Sequence, residues 1–340
     1  MGVSEQPTPV QFHRIAPGWY GAASTMKPHM LTFFCELEAG PLQALFATPG
    51  VVEDVAALEA GVSLGLVDLG PERAQVVQRL NRVGIPVTAW LLLPTEQGYW
   101  FHAGNVEQAT ARYEAFLAWS REHGLTWEGV GLDIEPDIRE LRRWMEGGWR
   151  QLGEILPRLV QGRRVQDARE AYSRLMTRIR ADGYRVDTYQ FPVIVDERES
   201  RSSLVQRLSG VLDLRADREV LMLYTSFLRP YGPAVLWSYA PGCQSVAVGV
   251  TGGGVEFPGV FNARPLDWSE FSRDLRLAVR WTHDLHVFSL EGCVRQGFLR
   301  RLRTFDWDAP VDPPVTAARR VDSLRRAARL LLRASARVLR

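Results

Sequence analysis

Lysine and cysteine are both scarce in this 340-residue chain. Lys27 is the only lysine, so nearly all basic residues are arginines, and outside the C-terminus they alternate with acids. With a net charge of +2, the chain has no basic stripe with interleaved aromatics before residue 319, so no nucleic-acid partner is predicted. Cys35, Cys243 and Cys293 are an odd set in or beside predicted strands, which predicts reduced core thiols.

Long apolar runs are missing as well. No uncharged segment is long enough to span a bilayer, and residues 1–10 are polar and contain Pro7 and Pro9 rather than a signal segment. These observations predict a cytoplasmic protein. Because 46% of the residues are hydrophobic, the chain can nevertheless bury a large core.

Eight short apolar segments, most of them separated by stretches of helical spacing, predict the fold. Strands that are buried on both faces and alternate with helices form a parallel sheet. Eight such units favour a (β/α)8 TIM barrel over an open doubly wound sheet, which would want a Gly-rich phosphate turn that residues 36–41 do not supply. The predicted strands are 30–37, 62–69, 87–93, 127–135, 185–195, 220–227, 245–250 and 285–290.

The fourth of these strands ends in carboxylates. Side chains alternate along a strand, so Asp133 and Glu135 share one face while Leu132 and Ile134 take the apolar other one, and Pro136 stops the ladder. The two acids lie about 7 Å apart along the strand. Their like charges and partial burial favour protonation of one carboxyl, which makes it a general acid near neutral pH. The alternative is an exposed strand end with solvated acids.

Active sites of TIM barrels lie where the strands end, so residues far apart in sequence can be considered together. Carboxylates that protonate a glycosidic oxygen, with aromatic rings on which sugars stack, fit glycoside chemistry. For Tyr99 and Trp100 the alternative is a loop that packs on itself. The candidate catalytic residues are Glu135, Asp133, Tyr224 and Glu291, and the candidate substrate-binding residues are Glu36, Asp68, Gln97, Tyr99, Trp100 and Gln190.

Other chemistries are less well supported by the residues. The acids could hold a divalent cation, as in a metal-dependent isomerase or lyase, but no histidine lies beside them in sequence. His283 and His286 lie at the start of the last strand, which is the wrong end of the barrel. No GxSxG elbow for a serine nucleophile is present. Residues 251–254 are glycine-rich without the GxGxxG spacing, which predicts a flexible or phosphate-tolerant loop. No metal or other cofactor is predicted.

Residues 128–135, EGVGLDIE, resemble the DGxDxDxE strand of family 18 glycoside hydrolases, the chitinases and endo-N-acetylglucosaminidases, which are (β/α)8 barrels. The resemblance implies that Glu135 is the acid and that Asp133 orients the N-acetyl group of the substrate, so that no enzyme nucleophile is needed. Residues 222–224, MLY, are similar to the family's MxY. This similarity implies that Tyr224 contacts the acetamido oxygen.

The chain departs from the family pattern at several positions. Glu128 and Gly131 stand where the motif has Asp, Thr225 follows the MxY tyrosine where Asp is usual, and Glu291 ends the predicted eighth strand where a tryptophan is expected. Two functions therefore stay open. One is a glycosidase that acts on a carbohydrate with Glu135 as general acid, and the other is a barrel that binds a glycan without cleaving it.

The orientation of Glu291 follows from strand parity. It shares parity with Ser289 and faces the barrel mouth if Phe288 and Leu290 pack outward against helices. The Glu291 side chain would then point across the site toward Glu135 and could serve as the second carboxylate of a two-carboxylate mechanism. The alternative is an ion pair with Arg295 one helical turn later.

A C-terminal segment follows the barrel, which is assigned to residues 12–310. Residues 311–340 read as a Pro-rich linker and a basic amphipathic helix, on which Leu324, Leu331 and Val338 lie opposite an arginine sector of about 120°. Docking on the barrel is the first interpretation, and peripheral contact with an anionic membrane is the alternative. The oligomeric state stays open. The arginines of the sector are Arg325, Arg326, Arg329, Arg333, Arg337 and Arg340.

Overall fold

The computed structural model describes residues 27–147, 156–254 and 264–338. Eight strands pair in sequence order, each parallel to its neighbours, and the first strand closes the sheet against the last. The chain is therefore a (β/α)8 barrel, as the alternation of apolar and helical segments predicts. The strands are β1 (Met30–Cys35), β2 (Gly61–Leu66), β3 (Val87–Leu91), β4 (Gly129–Asp133), β5 (Arg185–Gln190), β6 (Arg218–Met222), β7 (Ser245–Gly249) and β8 (Asp284–Phe288).

Helices surround the barrel, and short 3-10 turns occur at Thr95–Gln97, Leu156–Val160 and Thr225–Leu228. The α-helices within the described ranges are α1 (Ala39–Ala47), α2 (Val51–Ala57), α3 (Pro71–Arg82), α4 (Val106–Glu122), α5 (Ile138–Gly147), α6 (Gly162–Ala181), α7 (Val193–Ser200), α8 (Leu204–Ser209), α9 (Gly232–Tyr239), α10 (Trp268–Ala278), α11 (Leu290–Arg295), α12 (Phe298–Leu302) and α13 (Val315–Val338). None of the helices in these ranges combines the length and hydropathy needed to cross a bilayer.

Each strand predicted from the sequence extends beyond the C-terminal end of the strand in the structure. Strand β5 stops at Gln190, and α7 follows with Pro192 at its N-cap, whereas the sequence predicts strand to residue 195. Residues 225–228 likewise form a 3-10 turn after β6. Much of the chain that leaves the barrel is buried and is as apolar as the strands. Composition therefore does not mark where the ladder ends.

The two faces of the strands have different neighbours. Outward-facing residues such as Leu132 pack in the main hydrophobic core with residues of the helices, while inward-facing residues fill the barrel with aromatic rings. Gly131 makes room for one of these rings, because a Cβ there would lie 2.7 Å from Cζ of Tyr189. The Tyr189 hydroxyl is in turn hydrogen-bonded to Ser63 at 2.6 Å.

Buried ion pairs occupy the other end of the barrel interior. Asp187 on β5 is fully buried and accepts hydrogen bonds from Arg185, at 2.9 Å, and from Arg218. Arg218 also lies 3.4 Å from Asp284 on β8. Asp187 thus balances two arginines at the end of the barrel opposite the predicted site.

Helix α13 lies against α7 and α9, so the C-terminal helix docks on the barrel, which was the first interpretation of its sequence. Arg325 pairs with the buried Asp196 of α7 at 3.0 Å and covers the ring of Tyr239 at 3.7 Å. Val321 and Leu332 are the larger apolar side chains that it buries. Residues 12–26 of the assigned barrel and Arg340 of the arginine sector lie outside the described residues.

Removing Arg325 is expected to loosen α13. In Arg325→Ala the buried carboxylate of Asp196 loses its main partner, and we expect a loss of about 3 kcal/mol, at the low end for uncovering a buried charge, because Arg329 still lies 3.6 Å away. Chemical denaturation and limited proteolysis of the tail measure it. The matched control is Arg326→Ala, exposed one position further on. Equal effects of the two substitutions would contradict the role of the ion pair.

Candidate active site

Asp133 and Glu135 are held at the C-terminal end of β4 by a pairing that continues past the strand. Phe101 donates its N–H to the carbonyl of Asp133 at 2.9 Å, and Glu135 donates its N–H to the carbonyl of Phe101 at 3.2 Å. Both acids are buried, at 2% and 7% exposure. The alternation of the strand places the two acids together, as the sequence predicts. Because both are buried, the alternative of a solvated strand end is wrong.

The two carboxyl groups lie close enough for each to influence the pKa of the other. Trp90 donates its indole N–H to Oδ2 of Asp133 at 3.2 Å, and Oδ1 accepts no hydrogen bond from the described residues. Two negative charges this close in a buried site repel each other. This repulsion favours a proton on one of the two carboxyl groups.

Burial is the main reason why this proton is retained. Burial, followed by the negative charge of Glu36, raises the pKa of Glu135 to about 8. Burial and the charge of Glu135 likewise raise the pKa of Asp133 well above its ordinary value, against the opposing hydrogen bond from Trp90. At neutral pH the site thus presents a protonated acid, as the close pairing of the two acids predicts.

This pKa has a consequence for stability that can be measured without a substrate. Between its ordinary pKa of 4.5 and the folded value of about 8, Glu135 binds more protons in the folded chain than in the unfolded chain. The free energy of unfolding therefore falls as pH rises through this window. We expect Glu135→Gln to flatten the fall and to melt at least as high as wild type at pH 9. Melting temperatures between pH 5 and pH 9 test this, and parallel curves would contradict the buried, protonated acid.

Glu36 follows β1 and lies close enough to Glu135 to influence its pKa. The hydroxyl of Tyr99 donates to Oε1 of Glu36 at 2.8 Å. Tyr99 and Trp100 are 4% and 5% exposed and pack edge to face, so most of their ring surface is in the wall of the site. These contacts fit the alternative interpretation of the two rings, in which the loop packs on itself.

Tyr224 follows β6 and is half-buried beside the acid pair. Burial, and after it the charges of Asp133 and Glu135, raise the pKa of the Tyr224 phenol, so it stays a neutral donor. Its ring lies 5.8 Å from that of Phe288. The structure therefore brings the tyrosine of the MxY segment to the carboxylates.

The premise of the strand-parity prediction for the eighth strand, that Phe288 packs outward, is wrong. Phe288 is the last residue of β8 and points into the barrel, with its ring 6.4 Å from Trp90 and 6.1 Å from Phe34. The alternation ends there, because Ser289 caps helix α11 by accepting the N–H of Gly292. Phe288 is thus an aromatic residue that the sequence reasoning missed at the end of β8. Phe288 has the same strand parity as the inward-facing His286, and this parity could have predicted its position.

Glu291 lies in the first turn of α11, not on a strand. It is 4% exposed, and its Oε1 accepts the N–H of Gly254 at 2.7 Å, whereas an ion pair with Arg295 is absent from the described contacts. Gly253, at φ +94°, lies so close that a Cβ there would be 2.8 Å from Oε1 of Glu291. The glycine-rich segment after β7 therefore packs on Glu291. Burial raises the pKa of this carboxyl.

The three remaining candidates occupy different places. Gln190 is fully buried on the outward face of β5, where its amide donates to the carbonyl of Leu214 at 3.4 Å, so the prediction that it lines the mouth is wrong. Alternation turns its neighbour Tyr189 inward instead. Asp68 pairs with the buried Arg73 at 2.7 Å. Gln97 is exposed at the end of the turn Thr95–Gln97.

The state of Asp68 follows from this pairing. Burial works to raise its pKa, but hydrogen bonds from Arg73 and from the N–H of Gly70 outweigh burial and lower it. Asp68 is thus an ionised, half-exposed residue beside the barrel end, in contrast to the protonated pair. Within the described residues no three His, Cys, Asp or Glu side chains converge in a way that could hold a metal ion.

Comparisons with known proteins give the fold. No sequence-family model matches the chain, and no curated protein matches it. Among solved structures, the PgaB glycoside hydrolase domain from Bordetella bronchiseptica is similar with a TM-score of 0.53 at 10% identity, over 84% of this chain and 100% of that one. At this identity the likeness shows a shared barrel fold.

Two sugar epimerases are more distant. A D-allulose 3-epimerase from Methylomonas sp. has a TM-score of 0.42 at 11% identity, over 88% of this chain and 98% of its own. A 3-keto-D-glucoside 4-epimerase from E. coli has a TM-score of 0.43 at 14% identity, over 81% and 98%.

Proposed function

We propose that this barrel is a glycoside hydrolase-like enzyme that cleaves a carbohydrate or glycoconjugate by general acid catalysis from Glu135. The observation that carries the proposal is the buried carboxyl pair of Asp133 and Glu135 at the end of β4, where burial raises the pKa of both groups. A carboxyl that is still protonated at neutral pH can donate to the glycosidic oxygen as its bond breaks. The barrel shared with a glycoside hydrolase domain is compatible with this role but supports the fold only.

The surroundings of the pair suit a sugar ring. Tyr224 and Phe288 are half-buried aromatic residues beside the acids, and rings of this kind stack on the apolar faces of sugars. Trp90 fixes Asp133 through its indole hydrogen bond. Asp133 can therefore orient a substrate group and set the pKa of its neighbour at the same time.

The proposed reaction uses Glu135 twice. The protonated carboxyl gives its proton to the glycosidic oxygen while the bond from that oxygen to the anomeric carbon breaks. By the family 18 resemblance, the acetamido oxygen of an N-acetylated sugar attacks the anomeric carbon, with Asp133 orienting the acetamido group and Tyr224 donating to its oxygen. Water then opens this intermediate and returns a proton to the Glu135 carboxylate, which restores the starting state.

A panel of defined oligosaccharides tests the function. The panel includes N-acetylated and non-acetylated chains in α and β linkages, and mass spectrometry follows the products. We expect cleavage of at least one N-acetylated substrate, with a rate that falls as pH rises through about 8, because Glu135 then loses its proton. Binding without cleavage would favour the glycan-binding alternative. Neither binding nor cleavage across the panel would refute both.

A further inference from the structure

Helix α13 docks on the barrel through its charged face. Arg325 and Arg329 point to α7, where they pair with Asp196 and Glu199, and Asp322 accepts a hydrogen bond from Ser238 of α9. A surface helix ordinarily turns its apolar stripe to the core and its charges to water. On α13 much of this arrangement is reversed, so most of its larger aliphatic side chains are left outside.

The outer face of α13 carries a line of large aliphatic residues. Leu324, Leu331 and Val338 recur every seven residues, or about two turns, and are 71%, 72% and 81% exposed. Leu330, one position before Leu331, is exposed as well. Large aliphatic side chains that are exposed together on one helix point to a binding surface.

Exposed arginines occupy other positions of the outward surface of α13, and Arg326, Arg333 and Arg337 lie across the helix from this line. Exposed arginines occupy five positions, while Asp322, the one acid in the sequence of α13, is turned toward α9. The outer face therefore combines aliphatic side chains with guanidinium groups and no carboxylate. The exposed arginines are Arg319, Arg320, Arg326, Arg333 and Arg337.

The same character continues onto the neighbouring surface. Val338 lines an open groove of about 1210 Å³ together with Val160, which is 84% exposed. Arg163, Arg169 and Arg174 of α6 line the same groove, with Glu170 as its acid. The surface formed by the outer face of α13 and this groove is called the basic apolar face.

We propose that the basic apolar face binds the surface of an anionic phospholipid membrane, with the leucines entering the boundary of the acyl layer and the arginines contacting phosphate groups. Arginine forks match phosphate geometry, and amphipathic helices with an arginine-rich polar face and an aliphatic face lie in the plane of such surfaces. An anionic bilayer is complementary to both kinds of side chain, because its negative headgroups cover an apolar layer. A nucleic acid would satisfy the arginines but leave the aliphatic residues in water.

Vesicle co-sedimentation of the full chain tests the proposal. We expect binding to vesicles with equal shares of phosphatidylcholine and phosphatidylglycerol, weaker binding at high salt, and little binding to phosphatidylcholine alone. The double variant Leu324→Gln/Leu331→Gln is expected to bind at least about tenfold more weakly. Val83→Gln, which alters an exposed valine after α3, is the control and should bind like wild type.

A charge variant separates the two contributions. In Arg326→Gln/Arg333→Gln/Arg337→Gln the salt dependence should largely disappear, while the exposed triple Arg82→Gln/Arg121→Gln/Arg295→Gln should retain it. Circular dichroism checks that all variants are folded.

Three results would overturn the proposal: no sedimentation of wild type with anionic vesicles at low salt, equal losses in the control variants, or a dimer in sedimentation velocity that Leu324→Gln/Leu331→Gln converts to monomer without vesicle binding. The last result would assign the face to a second copy of the chain. None of these results depends on glycosidase activity.

Discussion

Glu135→Gln is expected to abolish turnover while binding and folding survive. Glutamine keeps the size of glutamate and can still hydrogen-bond to Asp133, but it has no acidic proton to give to the leaving oxygen. We expect kcat to fall by at least about 10² to 10⁴, the range that general acid catalysis supplies. Steady-state kinetics on the substrate found in the panel, with calorimetry for binding, measure the two quantities separately.

The matched control for this substitution is Glu128→Gln just before the start of β4. Glu128 is exposed and pairs with Arg185 at the other end of the barrel, so its loss should leave kcat unchanged. Asp133→Asn should act through the substrate's orientation and the pKa of Glu135, and therefore shift the pH profile as well as the rate. If Glu135→Gln retains most of the activity, the acid is assigned to the wrong carboxyl, and Glu36 or Glu291 becomes the candidate.

Asp187→Ala is expected to produce the largest loss of stability. The substitution leaves Arg218, which is only 4% exposed, without its main counter-ion inside the barrel. Breaking a buried ion pair by removing one partner costs about 3 to 5 kcal/mol. The midpoint of chemical denaturation should therefore fall steeply, or the variant should fail to accumulate as folded protein.

Glu128 provides the comparison here too, because it pairs with Arg185, the arginine that Asp187 also contacts. Its side chain is half-exposed, and exposed pairs contribute at most about 1 kcal/mol. Glu128→Ala should thus shift the midpoint little. If the two substitutions cost the same, the buried cluster is not what stabilises this end of the barrel.

Local sequence patterns were sufficient for the fold and for the acid pair. Apolar runs that alternate with helical spacing predict a parallel sheet covered by helices on both faces, and eight such units favour a barrel. The shared face of Asp133 and Glu135 follows from a period of two residues within a single strand. Both predictions depend on geometry that a few consecutive residues determine by themselves.

The predictions for Gln190 and for the strand position of Glu291 were wrong. Gln190 was placed at the mouth although it has the parity of Val186, which packs outward. Glu291 was counted along a strand that had ended at Phe288. A strand ends where its neighbours stop supplying hydrogen bonds, and those neighbours are distant in sequence.

The sequence by itself determined the barrel, the carboxyl pair on one face of β4 and the amphipathic tail, because each is a periodicity of consecutive side chains. Only the tertiary structure decided that Trp90 donates to Asp133, that Phe288 lies at the end of β8 and that α13 docks through Arg325. These contacts join residues that are far apart in the chain. Burial raises the pKa of Glu135 only once the whole barrel has closed around it.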